Sequence, residues 1–205
     1  MSTVIFLDKD GTLIDDLPYN VDPGRIRLAA GAHEALKMWA DVGWPIAIIT
    51  NQSGVALGYF TLEDLAAVAD HLESVIREAG ATWGGFYACP HLREGVNEYA
   101  VDCGCRKPAP GLIREASERL GVRPEDCWFI GDTWMDMAAG RAVGCRTILV
   151  GSEWRDWPSY PSTARPDHAV PDLAAAAAIT VADLTVTDRE PDRRQVVPAR
   201  RSNNA

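Results

Sequence analysis

Short apolar runs alternate with longer amphipathic stretches along this chain. Thr3 to Leu7, Trp44 to Ile49, Gly85 to Ala88, Trp128 to Ile130 and Thr147 to Val150 are rich in β-branched, aromatic or small apolar residues, and His168 to Val170 is a shorter sixth run. Such runs predict strands buried on both faces, the pattern of a parallel sheet. Helical periods lie between them. Ala32 to Val42 carries Ala35, Leu36, Trp39 and Ala40 at helical spacing. Thr61 to Ala79 is the clearest: Thr61 and Asp64 form a capping-box start, Leu65, Val68, Leu72, Val75 and Ile76 make one stripe, and Gly80 stops it. Gly111 to Leu120 and Trp134 to Val143 are each followed by glycine, and Ala174 to Ala178 reads as a further helix. Strand–helix alternation predicts an α/β fold with a mostly parallel sheet and helices on both faces.

Two regions break the rhythm. Cys89 to Pro110 has no helical period and is rich in Cys, Gly and Pro, whereas Asp188 to Ala205 is charged and poor in apolar residues and reads as a disordered tail. Gly151 to Pro166, with Trp154, Trp157 and Tyr160, reads as an ordered surface loop. The expected organisation is one domain over 1–187, a special loop at about 89–110, and a tail over 188–205. With 205 residues and 47% hydrophobic content the chain can bury a real core. A net charge of −9 argues against nucleic acid as a partner but leaves room for a small anionic substrate met by local cations. No stretch approaches the ~20 apolar residues of a membrane span. The N-terminus lacks a basic, then apolar, leader, so a cytoplasmic, monomeric protein is expected.

The polar residues with chemical potential fall where strands end. Asp8 and Asp10 follow the first strand, Thr50 the second and Asp132 the fourth. Ligand crevices in open parallel sheets lie outside the carboxyl ends of the strands, so one cavity should receive all of them. Asp8-Lys9-Asp10-Gly11-Thr12 places two carboxylates on one side of an extended chain, where their repulsion calls for a cation. Mg²⁺ suits an oxygen donor set, and Gly11 lets the chain turn sharply. Taken singly, this motif also fits a calcium loop or a turn, and Gly131-Asp132 fits a plain helix start.

A second cluster, Cys89-x-His91 with Cys103-x-Cys105, flanks the irregular segment. Three thiolates and one imidazole suit tetrahedral Zn²⁺ with no position left for substrate, hence a structural ion. The alternatives are two unrelated Cys-rich turns or a Cys103–Cys105 disulfide, whose short spacing strains disulfide geometry. Cys105 runs directly into Arg106-Lys107-Pro108. The loop would therefore hold Lys107 and Arg106 in place, and Arg106 can grip a phosphate bidentately. Cys127 and Cys145 read as small buried hydrophobes. No chemistry is assigned to His33, His71 or His168. The tryptophans read as core or loop anchors, with Trp134 close enough to Asp132 to touch a substrate.

Asp8-x-Asp10-Gly11-Thr12, Thr50-Asn51, Lys107 and Gly131-Asp132-x-x-x-Asp136, in that order, resemble the four motifs of haloacid dehalogenase-type phosphatases. The resemblance spans roughly residues 4 to 150. It implies a Rossmann-like parallel sheet flanked by helices. It also implies a nucleophilic Asp8, an acid–base Asp10, phosphoryl contacts from Thr50 and the Asn51 amide, and charge neutralisation by Lys107. Mg²⁺ would be held by Asp8, Asp132 and the Asp10 carbonyl, with Asp136 supporting them. The chain has no large cap insertion.

The zinc loop narrows the resemblance to the subgroup containing D-glycero-D-manno-heptose 1,7-bisphosphate 7-phosphatases and histidinol-phosphate phosphatases. Thr50 to Ala56 and Pro18-Tyr19-Asn20-Val21-Asp22-Pro23 are closer to the heptose branch. By position, Asp16, Tyr19, Asn51, Gln52, Ser53, Arg106 and Thr133 become substrate-binding candidates. Leu57 stands where heptose enzymes usually carry arginine, and Thr133 where some carry lysine. The expected substrate is a small sugar phosphate, most of all the heptose bisphosphate. Histidinol phosphate and a catalytically silent phospho-ligand module are the alternatives.

Overall fold

The structure is a computed structural model and describes residues 3–151 and 161–187. Its elements follow in chain order: β1 (Ile5–Leu7), α1 (Ala32–Asp41), β2 (Pro45–Asn51), α2 (Leu62–Glu78), β3 (Thr82–Cys89) and α3 (Gly111–Leu120). Then come β4 (Trp128–Gly131), α4 (Trp134–Arg141), β5 (Arg146–Val150), β6 (His168–Val170) and α5 (Leu173–Thr187). Among the described residues the strands form one sheet ordered β3-β2-β1-β4-β5-β6, every neighbouring pair parallel. The predicted α/β class is what is observed.

Side chains alternate across each strand, and both faces are apolar. Ile5, Leu7, Ile46, Ile48, Trp128, Ile130, Ile148 and Val150 point to a layer that includes α1, α2 and α5. Val4, Phe6, Ala47, Ile49 and Phe129 point to the opposite layer, with Leu112, Ile113 and Ala116 of α3 and Ala139 of α4. Each large side chain buried in this way contributes roughly 1.5–3 kcal/mol relative to solvent exposure.

The helix starts follow local chemistry. Thr61 Oγ1 accepts the Asp64 N–H at 3.1 Å and Asp64 Oδ2 accepts the Thr61 N–H at 2.7 Å, which is the predicted capping box of α2. α4 repeats the device with Thr133 and Asp136.

Two elements are longer than their sequence signals. β3 begins at Thr82 rather than Gly85, because an irregularity in its pairing with β2 falls between Ile46 and Ala47 and lets Gly84 lie against the Ile46 carbonyl. α5 runs to Thr187 rather than ending near Ala178. Packing overrides the weak helix propensity of Ile179, Thr180 and Val181: the buried Thr180 hydroxyl accepts from Trp39 Nε1 of α1 at 2.9 Å. Most of the predicted 151–166 loop, with Trp154, Trp157 and Tyr160, and the tail from Asp188 lie outside the described residues. No described helix is long and apolar enough to cross a membrane.

Candidate active site

Because all six strands run the same way, their carboxyl ends share one edge. Asp8 leaves β1 there, Thr50 and Asn51 end β2, and Asp132 follows β4. The Asp8 N–H donates to the Ile130 carbonyl at 2.9 Å, tying the start of the first motif to the neighbouring strand. Gly11 turns the chain at φ +75°, and a Cβ there would sit 2.2 Å from Asp132 Oδ2. Only glycine leaves room for that carboxylate to face the β1 loop. Thr12 Oγ1 lies 3.4 Å from Asp132 Oδ1. The first and last motifs therefore meet.

Lys107 is the centre of the charge balance. It is 4% exposed, and its ammonium lies 2.6 Å from Asp8 Oδ1, 2.6 Å from Asp136 Oδ1 and 3.0 Å from the Ile49 carbonyl. The contacts to Asp8 and the Ile49 carbonyl are hydrogen bonds, and that to Asp136 is an ion pair. Asp136 is fully buried, and its second oxygen accepts from the Thr133 N–H and hydroxyl at 3.0 and 2.6 Å. A Cβ on Gly131 would lie 2.5 Å from the Asp136 Cβ, so glycine is needed for that approach.

Burial pushes the Asp8 carboxyl well above the ordinary carboxylate range; Lys107 opposes this, while Asp136 and Asp132 reinforce it. Burial works to lower the Lys107 pKa, but Asp136 and then Asp8 outweigh it and hold the ammonium above the usual lysine value. Asp8 therefore rests beside one buried cation and two further carboxylates.

Asn51 has a different partner from the one its position implied. Its Nδ2 donates to the Lys107 carbonyl at 3.1 Å and its Oδ1 accepts the Lys107 N–H at 3.0 Å. The carboxamide thus brackets the Lys107 backbone, and both of its ends are engaged. Thr50 Oγ1 accepts from Gln52 Nε2 at 2.9 Å, which leaves the hydroxyl proton to be donated elsewhere. Gln52 Nε2 also lies 3.0 Å from Asp10 Oδ2, and Lys9 Nζ lies 2.6 Å from Asp10 Oδ1.

A cavity of about 230 Å³ is lined by Lys9, Asp10, Asp16, Tyr19, Asn51, Gln52 and Ser53 among others; of the four strand-end residues expected to share one crevice, Asp10 lines it and Asp8, Thr50 and Asp132 do not. Tyr19, at φ 56°, packs edge-on against Tyr59 with ring centroids 4.7 Å apart. Arg106 lies elsewhere. It lines a second cavity of about 360 Å³ with Lys107 and Trp134, and its Nη1 donates to the His91 carbonyl at 3.3 Å. Thr133 lines neither cavity, and its hydroxyl is used in capping α4. Sequence reasoning passed over Lys9, which is only 1% exposed. Nothing in a lysine between two aspartates signals burial, since lysine is ordinarily solvated.

Two donor sets fit metals. Carboxylate oxygens of Asp8, Asp132 and Asp136 lie within 4.8 Å of one another. Both Asp136 oxygens are engaged, by Lys107 and by Thr133, whereas Asp8 meets Lys107 through Oδ1, so Asp8 and Asp132 are the oxygen pair better suited to a hard cation. In the second set, Cys89, Cys103 and Cys105 are free thiols. Their sulfurs and His91 Nδ1 are separated by 3.2 to 3.7 Å along the measured edges. Bonds of about 2.3 Å give a zinc tetrahedron edges of ~3.7 Å, close to this arrangement.

A family model described as HAD-hydrolase-like matches residues 104–176. The D-glycero-beta-D-manno-heptose-1,7-bisphosphate 7-phosphatase of Pasteurella multocida is 36% identical over 151 residues, which is 73% of this chain and 82% of that one. The chain belongs to the haloacid dehalogenase-like phosphatases. The enzyme of the same name from Pseudomonas aeruginosa is 36% identical over 149 residues, or 72% and 80% of the two chains. Among solved structures, the D,D-heptose 1.7-bisphosphate phosphatase of B. bronchiseptica, complexed with magnesium and phosphate, superposes with a TM-score of 0.75 at 28% identity. That match covers 89% of this chain and 99% of the other. As a haloacid dehalogenase-like phosphatase, this chain has the motif order of the family on the family's sheet.

Proposed function

We propose that this phosphatase removes the 7-phosphate of D-glycero-D-manno-heptose 1,7-bisphosphate through an aspartyl-phosphate on Asp8. The observation that carries the chemistry is the buried Asp8 carboxylate, 2.6 Å from the Lys107 ammonium and beside Asp132 at the strand ends. The substrate rests on the names of the relatives, which span most of this chain.

An Asp8 oxygen attacks phosphorus, the ester P–O bond breaks, and its electron pair goes to the sugar oxygen. Asp10 gives that oxygen a proton. Water then attacks the aspartyl-phosphate, returning its proton to Asp10 and releasing phosphate. Attack by an anion on an anion is opposed electrostatically, and Lys107 lowers that opposition from the Asp8 side. Bound Mg²⁺, held by Asp8, Asp132 and the Asp10 carbonyl, would neutralise the phosphoryl oxygens. Thr50 has a hydroxyl proton for those oxygens. Asp16, Tyr19, Gln52 and Ser53 receive the sugar from the 230 Å³ cavity side, and Arg106 flanks Lys107 from the other side. A structural Zn²⁺ held by Cys89, His91, Cys103 and Cys105 would fix the loop that leads into Arg106 and Lys107.

The test is phosphate release from the heptose bisphosphate and histidinol phosphate, side by side. Turnover should require Mg²⁺, favour the heptose ester in kcat/KM, and vanish in Asp8→Asn. Robust Asp8→Asn activity would falsify the mechanism, and a preference for histidinol phosphate would overturn the sugar assignment.

A further inference from the structure

Lys9 is a buried cation that the chemistry above leaves without a task. It is 1% exposed, among the largest fully buried side chains of the described residues. Burying an ammonium is expensive, and a lysine persists there only with a well-placed counter-charge. Its ammonium lies 2.6 Å from Asp10 Oδ1, while the Asp10 side chain is about one third exposed and faces the cavity. The other Asp10 oxygen, Oδ2, accepts from Gln52 Nε2, the same nitrogen that holds the Thr50 hydroxyl. The two oxygens of Asp10 are therefore distinguished by their surroundings. Oδ1 is paired with Lys9, and Oδ2 lies on the Thr50 side, where a phosphoryl group would be held.

We infer that Lys9 is a positioning residue that selects Oδ2 as the Asp10 oxygen exchanging the proton with the ester. This rests on the reading of Asp10 as the proton carrier. A buried ammonium in the cavity wall pins one carboxylate oxygen, so the carboxyl group cannot rotate to exchange the two. The remaining oxygen stays aimed at the leaving group in both half-reactions. Without Lys9 the carboxyl samples orientations in which neither oxygen meets the ester, and misplacement of about 1 Å costs on the order of 100-fold in rate.

The test compares leaving groups. A sugar alkoxide needs the proton from Asp10 as the ester bond breaks, whereas p-nitrophenolate departs without it. kcat/KM reports the steps through loss of the leaving group, so later hydrolysis does not mask the difference. Lys9→Met keeps the aliphatic stem and removes the charge. It should lower kcat/KM for the sugar phosphate on the order of 10–100-fold more than for p-nitrophenyl phosphate, within the usual contribution of a general acid. Asp10→Asn should show the same selectivity. Should Lys9→Met not fold, Lys9→Arg is read instead; it keeps the charge but moves the donor, and a selective loss is again expected. If Asp10→Asn is selective and the Lys9 variants lower both substrates equally, or neither, the Lys9 proposal is overturned while the Asp10 reading stands. If Asp10→Asn is itself unselective, Asp10 is not the proton carrier and both ideas fall.

Discussion

At the scale of single residues, the site is a chain of side chains that hold one another. Asn51 shows this most clearly. Its position after Thr50 made it a phosphate contact by resemblance, yet its carboxamide closes on the Lys107 backbone through both ends. Lys107 in turn reaches Asp8 and Asp136. Asn51→Ala should remove both backbone bonds, let the ammonium drift from Asp8, and lower kcat/KM on the order of 100-fold. Unfolding should show only about 1–2 kcal/mol of lost stability, the worth of two hydrogen bonds. Stopped phosphate-release assays and denaturant titration would measure the two effects separately, and an Asn51→Ala enzyme with unchanged kcat/KM would show the bracket to be dispensable. The placement of the motif residues at the strand ends was legible in sequence because strand ends and carboxylate spacing are local. The bracket was not, since it joins residues 51 and 107 through side-chain geometry that no local pattern encodes. Thr133 carries a second reading for a related reason: it forms the cap of α4 with Asp136, and helix-cap chemistry and ligand chemistry use the same residue types.

At the scale of elements, the loop between β3 and α3 has the least regular structure and two kinds of support. Val96 N–H donates to the Ala56 carbonyl at 2.8 Å and Asn97 Nδ2 to the Val55 carbonyl at 2.6 Å, so it leans on the loop after β2. The Cys89, His91, Cys103 and Cys105 cluster closes its base. Purified protein should contain about one zinc per chain, the stoichiometry of a four-ligand closed site. Thiol alkylation read by mass spectrometry should leave all five cysteines unlabelled in the native, metal-loaded protein. A chelator should expose three of them: Cys89, Cys103 and Cys105. Cys127 and Cys145 should stay unlabelled until the protein unfolds, because burial pushes both thiols up and keeps them protonated at neutral pH. Labelling of Cys89, Cys103 and Cys105 that ignores the chelator would remove the metal from the account. The Cys and His spacing gave this cluster away, whereas the length of β3 was hidden by Gly84 and Gly85. Glycine weakens a strand's sequence signal even where the backbone pairs.

For the whole molecule, the sheet divides the work between its two faces. α1 and α5 cover one face, far in sequence but joined by Trp39 and Thr180, and none of the proposed catalytic groups projects from them. The other face packs α3 and α4 with the partly buried Cys103 and Cys105, and the Lys107 ammonium lies 5.7 Å from the centre of the Phe129 ring. Damage to the two layers should therefore have different consequences. Leu36→Ala opens a cavity under α1 and should cost about 2–5 kcal/mol of unfolding free energy. Its effect on kcat/KM of the folded enzyme should be negligible, because the strand ends are held by their own pairing. Phe129→Leu removes less volume and should cost less stability, yet it loosens the surface beneath Lys107 and should depress kcat/KM. Urea unfolding beside steady-state kinetics would show whether the ranking by stability is the reverse of the ranking by activity. Equal rankings would mean that the core acts on the site as one body, and that the two faces do not divide support from chemistry.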